Sequence, residues 1–256
     1  MSDAALHLPG LVRAYVGLVT EAVAQTLGKD LMGVATTGSL ALDDFTIEGS
    51  DIDLIAVCRR PLSPAARRDL PVRIDDEVLP CPATGLDLIV FSRQQVSCLP
   101  QPMSFEMAVT TGARWGLEVV GGSTDEEMLL DLEICRLHGQ ALNGPEPVTL
   151  LKEPPPDRLR SALLVALTWQ RDHLFNPRHD PRGAEAVLAA CRARHWLDTG
   201  DLVSKTVASR RLARSPGYGP LAGAALARRA GRMRTALRGR EVRALLADVI
   251  PKLEKT

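Results

Sequence analysis

The sequence predicts an α+β protein: an N-terminal α/β domain over residues 1–150, followed by an all-α helical bundle domain over residues 151–256. Three observations lead there. Strand-like apolar runs (31–35, 51–57, 85–91 and 104–111) are confined to the first half, whereas beyond Pro156 apolar residues recur only at helical spacing. Between the two textures lies the proline-rich stretch Pro147 to Pro156, which reads as a linker or capping loop. With 256 residues the chain is long enough for two modest cores.

Residues 8–27 carry Leu11, Val12, Tyr15, Val16, Leu18, Val19, Ala22 and Val23 at helical spacing, and Gly28 supplies a stop. A short strand over 31–35 delivers Gly38-Ser39, a helical turn covers 39–44, and 46–49 is a loop. The second strand runs over 51–57. A helix over 61–70 has Ser63 as its N-cap and Pro64 at N1. The third strand is 85–91, and a further strand over 104–111 ends at Gly112, with Trp115 just beyond. A single helix is expected over 125–143, closed by Gly144-Pro145, and helices follow over 159–175, 181–199, 203–212, 220–237 and 241–253. No internal repeat is evident.

The chemistry concentrates in TTGSLALDDFTIEGSDIDLIAV, residues 36–57. Asp51 and Asp53 open an apolar strand, and side chains alternate across a strand, so both carboxylates point to the same face. Neighbouring carboxylates repel unless a cation sits between them. A hard divalent cation is the natural partner, Mg²⁺ most simply, and Mg²⁺ usually binds substrate phosphates as well. Gly38 lets a phosphate approach the backbone, and the Ser39 hydroxyl can hold it. Asp87 stands inside another apolar strand, where a charge needs a partner or a metal.

Composition narrows the classes. Lys plus Arg and Asp plus Glu are 31 each, so no global field draws the chain to nucleic acid or an anionic membrane, although the segment from Arg192 to Arg243 is arginine-rich. Five scattered cysteines without metal-ligand spacing read as reduced thiols. No signal-type core or bilayer-length apolar run is present, so the expectation is a soluble cytoplasmic monomer with small-molecule partners. His173, His179 and His195 lack ligand spacing and read as packing or surface residues.

The Gly38-Ser39 pair, the spacer, and Ser50-Asp51-Ile52-Asp53 running into a strand resemble the signature of the nucleotidyltransferase superfamily that includes DNA polymerase β. LEICRLHGQALNGPEP (132–147) and CRARHWLDTGDLVSK (191–205) are similar to two hallmarks of aminoglycoside adenylyltransferases of the streptomycin/spectinomycin type. The resemblance implies Mg²⁺-dependent transfer of AMP from ATP to an aminoglycoside hydroxyl, in a cleft between the domains. By that resemblance Gly38, Ser39 and Ser50 belong to the phosphate loop and its metal-site flank, Asp51 and Asp53 bind metal, and Lys205 reaches ATP phosphates. Asp87 falls where these enzymes place the base that deprotonates the sugar hydroxyl, often a glutamate; being a carbon shorter, it is either that base or a third metal ligand. Trp115 lies near a tryptophan that stacks on the antibiotic, and Asp43 replaces a usual glycine. A polycationic drug calls for acids around it, and Glu106, Asp172, Glu185 and Asp198 are candidates, Glu106 and Asp172 foremost. Two alternatives remain: a nucleotidyltransferase acting on another metabolite or a protein side chain, and a non-catalytic nucleotide-binding regulator.

Overall fold

The structure, a computed structural model, describes residues 9–114 and 116–255. It is a mixed α+β fold with a six-stranded sheet and eleven α-helices among the described residues. In chain order the elements are α1 (Gly10–Leu27), a 3-10 turn (Gly28–Asp30), β1 (Leu31–Thr36), α2 (Gly38–Ala41), β2 (Ile52–Cys58), α3 (Pro64–Ile74), β3 (Leu86–Ser92), α4 (Arg93–Cys98), β4 (Met107–Gly112), β5 (Gly116–Gly121), α5 (Met128–His138), β6 (Ala141–Asn143) and α6 (Pro147–Leu150). Then come α7 (Pro156–Asp172), α8 (Gly183–Thr199), α9 (Lys205–Leu212), α10 (Gly219–Arg229) and α11 (Gly239–Glu254). Contacts divide the chain into two units: 9–41, 45–125 and 131–153 in the first, and 42–44, 126–130 and 154–255 in the second.

In the first unit the sheet order is β5-β4-β3-β2-β1-β6. Strands β2 and β3 are parallel and the other neighbours antiparallel. The apolar runs of β2 and β3 are buried almost throughout, which is why they lack clean alternation. Helix α1 buries Val12, Tyr15, Val16, Val19 and Val23 in the core formed with Leu54, Leu88, Leu70 and Ile74. Each fully buried side chain of this size contributes roughly 1.5–3 kcal/mol. Ser63 caps α3, accepting from Ala66 N–H at 3.1 Å, with Pro64 in the first turn.

Four departures from the sequence reading have physical causes. The expected helix over 125–143 ends at His138, and 141–143 becomes a strand paired to β1. Gly139 permits the exit, because a Cβ there would overlap Cys135 O and stand 2.6 Å from Thr36 O. Strand β5 went unread because both of its faces are exposed, so no core-facing alternation marks it. Helix α4, also unread, is set by a capping box between Ser92 and Gln95. Helix α10 stops at Arg229 rather than near 237, and Gly231 just beyond has φ 67°.

In the second unit α8 is the hub, contacting α7, α9, α10 and α11. Many of its buried residues are small (Gly183, Ala184, Ala186, Ala190, Ala193), which lets those neighbours approach closely. No helix among the described residues is long and apolar enough to cross a membrane.

Candidate active site

The site in the first unit is built where β1 ends and β2 begins. The Thr37 N–H donates to Asp53 O at 3.0 Å, and the Thr37 hydroxyl donates to Asp131 O at 2.7 Å. These bonds hold the next residue, Gly38, against the Asp53 side chain. Gly38 has φ 57°, and a Cβ built on it would overlap Asp53 Oδ2 and stand 2.6 Å from Cγ. Only glycine fits, for both conformation and space. Beside it the Ser39 hydroxyl is buried without a hydrogen-bond partner. A buried unpaired hydroxyl is costly, and a ligand oxygen would relieve it.

Asp51 and Asp53 alternate with buried Ile52 and Leu54 and so share a face. The Thr84 hydroxyl donates to Asp51 Oδ1. Asp87 is the register partner of Asp53 in the parallel ladder and stands on that same face. Its Oδ1 accepts from the Thr110 hydroxyl at 2.6 Å. Burial pushes the Asp87 carboxyl above the usual carboxylate range; the Thr110 bond opposes this, and the charges of Asp51 and Glu118 add to it.

Glu118 carries no role in the sequence reading. The register pairs Asp87 with Thr110 and Thr110 with Glu118, so Asp53, Asp87, Thr110 and Glu118 form one polar row across four neighbouring strands. No local signal marked it, since its place follows only from the β3–β4 and β4–β5 registers. Trp115 lies outside the described residues.

Other sequence candidates stand elsewhere. Glu106 precedes β4 at the end of the sheet opposite Asp87; it is buried, and its Oε2 accepts from Arg67 Nη2 at 2.6 Å and from Leu62 N–H at 3.2 Å. Its charge is met by Arg67 of α3 and by the Leu62 N–H just before that helix. The Ser50 hydroxyl closes the preceding loop by accepting from Thr46 N–H at 3.1 Å. Asp43, in the glycine-like position, has φ 52°, a left-handed conformation that aspartate tolerates.

In the second unit Lys205 begins α9 and its ammonium is paired to Glu185 on α8. Lys205 holds the Glu185 carboxyl below the usual range, helped by Arg229 and Arg192. Asp172 closes α7 on the surface, bonded to its neighbour Arg171 at 2.8 Å. Asp198 pairs with Arg194 at 3.3 Å. Among the described residues no three His, Cys, Asp or Glu side chains form a group able to hold a metal ion by themselves.

No family model matches the chain, and no curated protein matches it significantly. The decisive likeness is structural. The chain has the fold of an adenyltransferase. One match is to the crystal structure of spectinomycin adenyltransferase AAD(9) from Enterococcus faecialis with ATP and spectinomycin, at a TM-score of 0.76 and 17% identity. It covers 95% of this chain and 100% of that one.

Proposed function

We propose that the protein transfers AMP from ATP to a hydroxyl of an aminoglycoside, streptomycin or spectinomycin, releasing pyrophosphate, with Mg²⁺ as cofactor. One observation carries the reading: the Asp53 carboxylate is packed onto Gly38, beside the orphaned Ser39 hydroxyl, with Asp51 and Asp87 on the same face. The fold likeness to a protein solved with ATP and spectinomycin supports it.

Asp51 and Asp53 fit Mg²⁺. They are hard oxygen donors on one face, and Mg²⁺ commonly takes one or two carboxylates and completes its shell with water and substrate phosphates. When bound there, the ion supplies neutralisation of charge on the phosphoryl oxygens. Gly38 and Ser39 accommodate the phosphates, the hydroxyl gaining the partner it otherwise lacks.

Asp87 is the base. The acceptor hydroxyl oxygen bonds to the α-phosphorus, the bond to the β-phosphate oxygen breaks, pyrophosphate leaves, and the hydroxyl proton passes to Asp87. Thr110 occupies Oδ1, which fixes the carboxylate and leaves Oδ2 for the proton. A raised pKa makes Asp87 a better proton acceptor than an ordinary surface aspartate. Lys205 serves the ATP phosphates, exchanging its bond to Glu185 for them.

The test is pyrophosphate release from ATP and Mg²⁺ in the presence of streptomycin, spectinomycin or 2-deoxystreptamine drugs. Release dependent on either of the first two supports the proposal, and drug-independent release or none overturns it. Asp51→Asn should abolish turnover, whereas Asp87→Asn should cost roughly 10²–10⁴-fold, the usual worth of a general base.

A further inference from the structure

The second unit contains a cleft of about 580 Å³ lined by Pro177, Arg178, His179, Arg238, Arg240 and Arg243. None of these is among the residues assigned to nucleotidyl transfer. Four guanidinium groups and an imidazole thus surround one concavity of the size that takes a small ligand. No carboxylate lines it. Glu241 pairs with Arg238 at 3.3 Å.

The cleft is a built feature. One wall is the turn 174–182, organised by the fully buried Asp180. Its Oδ2 accepts from Phe175 N–H at 2.8 Å and Asn176 N–H at 2.9 Å, and its Oδ1 from Arg182 N–H at 3.0 Å. Asn176 Oδ1 in turn accepts from the backbone of Arg178 at 2.8 Å and His179 at 3.2 Å. The other wall is the first turn of α11, joined to that loop by Asp180 N–H to Leu237 O at 2.9 Å and Arg240 N–H to Pro177 O at 3.0 Å. Gly239 permits this closeness, since a Cβ there would overlap Asn176 O. Arg243 is tied to Leu174 O and the His179 ring lies 3.3 Å from Ala236 O, so these two side chains of the lining are held by the frame.

Like charges held together in a concave wall focus a positive potential, and the guanidinium fork matches the geometry of phosphate oxygens. We infer that this cleft is an anion site of the second unit that binds a small ligand carrying several phosphate charges. Its source is a free inorganic polyphosphate or the polyphosphate of a nucleotide. Both present the same chemistry to the arginines.

The test is calorimetric titration of the full chain in EDTA with inorganic pyrophosphate, inorganic triphosphate and ATP. The expected result is binding of the inorganic anions that weakens as salt rises. The Arg178→Gln/Arg240→Gln double variant should lose roughly tenfold or more in affinity, as expected when charged hydrogen bonds are removed. Arg238→Glu, at a side chain 66% exposed and so safe for folding, should do the same. The exposed control Arg210→Gln should leave affinity unchanged. Equal inorganic-anion binding by wild type and both cleft variants, or no such binding by wild type, overturns the inference. So does binding of ATP without either inorganic anion, which would mean recognition of the nucleoside, or preference for a short oligonucleotide alone, which would mean a nucleic-acid surface.

Discussion

The Asp53 carboxylate lies against the α-carbon of Gly38, leaving no room for a single methyl group: a Cβ there would stand 2.6 Å from Asp53 Cγ. Gly38→Ala therefore combines two effects. The left-handed conformation at φ 57° costs a non-glycine residue about 1–2 kcal/mol, and the overlap turns Asp53 away from its place. Displacement of the proposed metal-binding carboxylate by about 1 Å is worth roughly 10²-fold in rate. The expected outcome is a modest fall in thermal midpoint with a disproportionate fall in kcat, measured on one preparation by calorimetry and pyrophosphate release. A fall in stability with kcat intact would separate Gly38 from the site.

Asp87 makes a prediction of opposite sign for stability. Burial raises its folded-state pKa, so the folded chain holds a proton there more tightly than the unfolded chain. The favourable contribution is fully present below the ordinary carboxylate pKa and is lost as pH rises through the folded value. Above both, the ionised group is a net cost. Asp87→Asn should thus raise the thermal midpoint at neutral pH while lowering activity, with the stability gain vanishing in acid. Thr110→Val removes the bond that opposes the shift and should move the acid limb of the activity profile to higher pH.

Glu118 tests the cross-strand row. Its charge adds to the upward pressure on Asp87, so Glu118→Gln should move the acid limb of the activity profile to lower pH, by less than Thr110→Val moves it upward. A polycationic acceptor that passes this exposed acid should also show a raised KM, an effect that fades with added salt. Profiles at low and high ionic strength check both.

How far the sequence discloses this site follows from the range of the interactions. The Asp51/Asp53 pair and Gly38 were legible because a two-residue period and a glycine next to a strand are local facts. Asp87 was legible as a charge within an apolar strand. Glu118 was not, because its meaning comes only from two registers, β3 to β4 and β4 to β5. The short strand β6 was hidden for a related reason: residues 141–143 continue an apolar pattern that reads as helix until Gly139 brings the chain against Thr36.

Glu106 shows the same limit from the other side. An acid at a strand entrance reads as a drug contact, yet its partner Arg67 is 39 residues away and unreadable locally. Glu106→Gln should lower stability by about 1–3 kcal/mol, the usual cost of spoiling a buried charged hydrogen bond, with Arg67 partly solvated and able to recover some of it. Denaturant unfolding should register the loss, and the KM for the acceptor should stay at the wild-type value. A raised KM with unchanged stability would return Glu106 to the acceptor site.

Lys205 and Glu185 offer a contrast that a purely structural ion pair could not produce. The two side chains are 27% and 44% exposed, so their attraction is screened and either partner can be removed without unfolding α8 or α9. If the ammonium exchanges Glu185 for ATP phosphates, the carboxylate competes with the nucleotide. Lys205→Gln should then raise the KM for ATP by roughly tenfold, the scale of one lost charged hydrogen bond, whereas Glu185→Gln should lower it. A structural pair would give equal small losses of thermal stability in both variants and no change in KM. Steady-state kinetics of the two variants, run with ATP varied at saturating acceptor, decides between opposite signs and none.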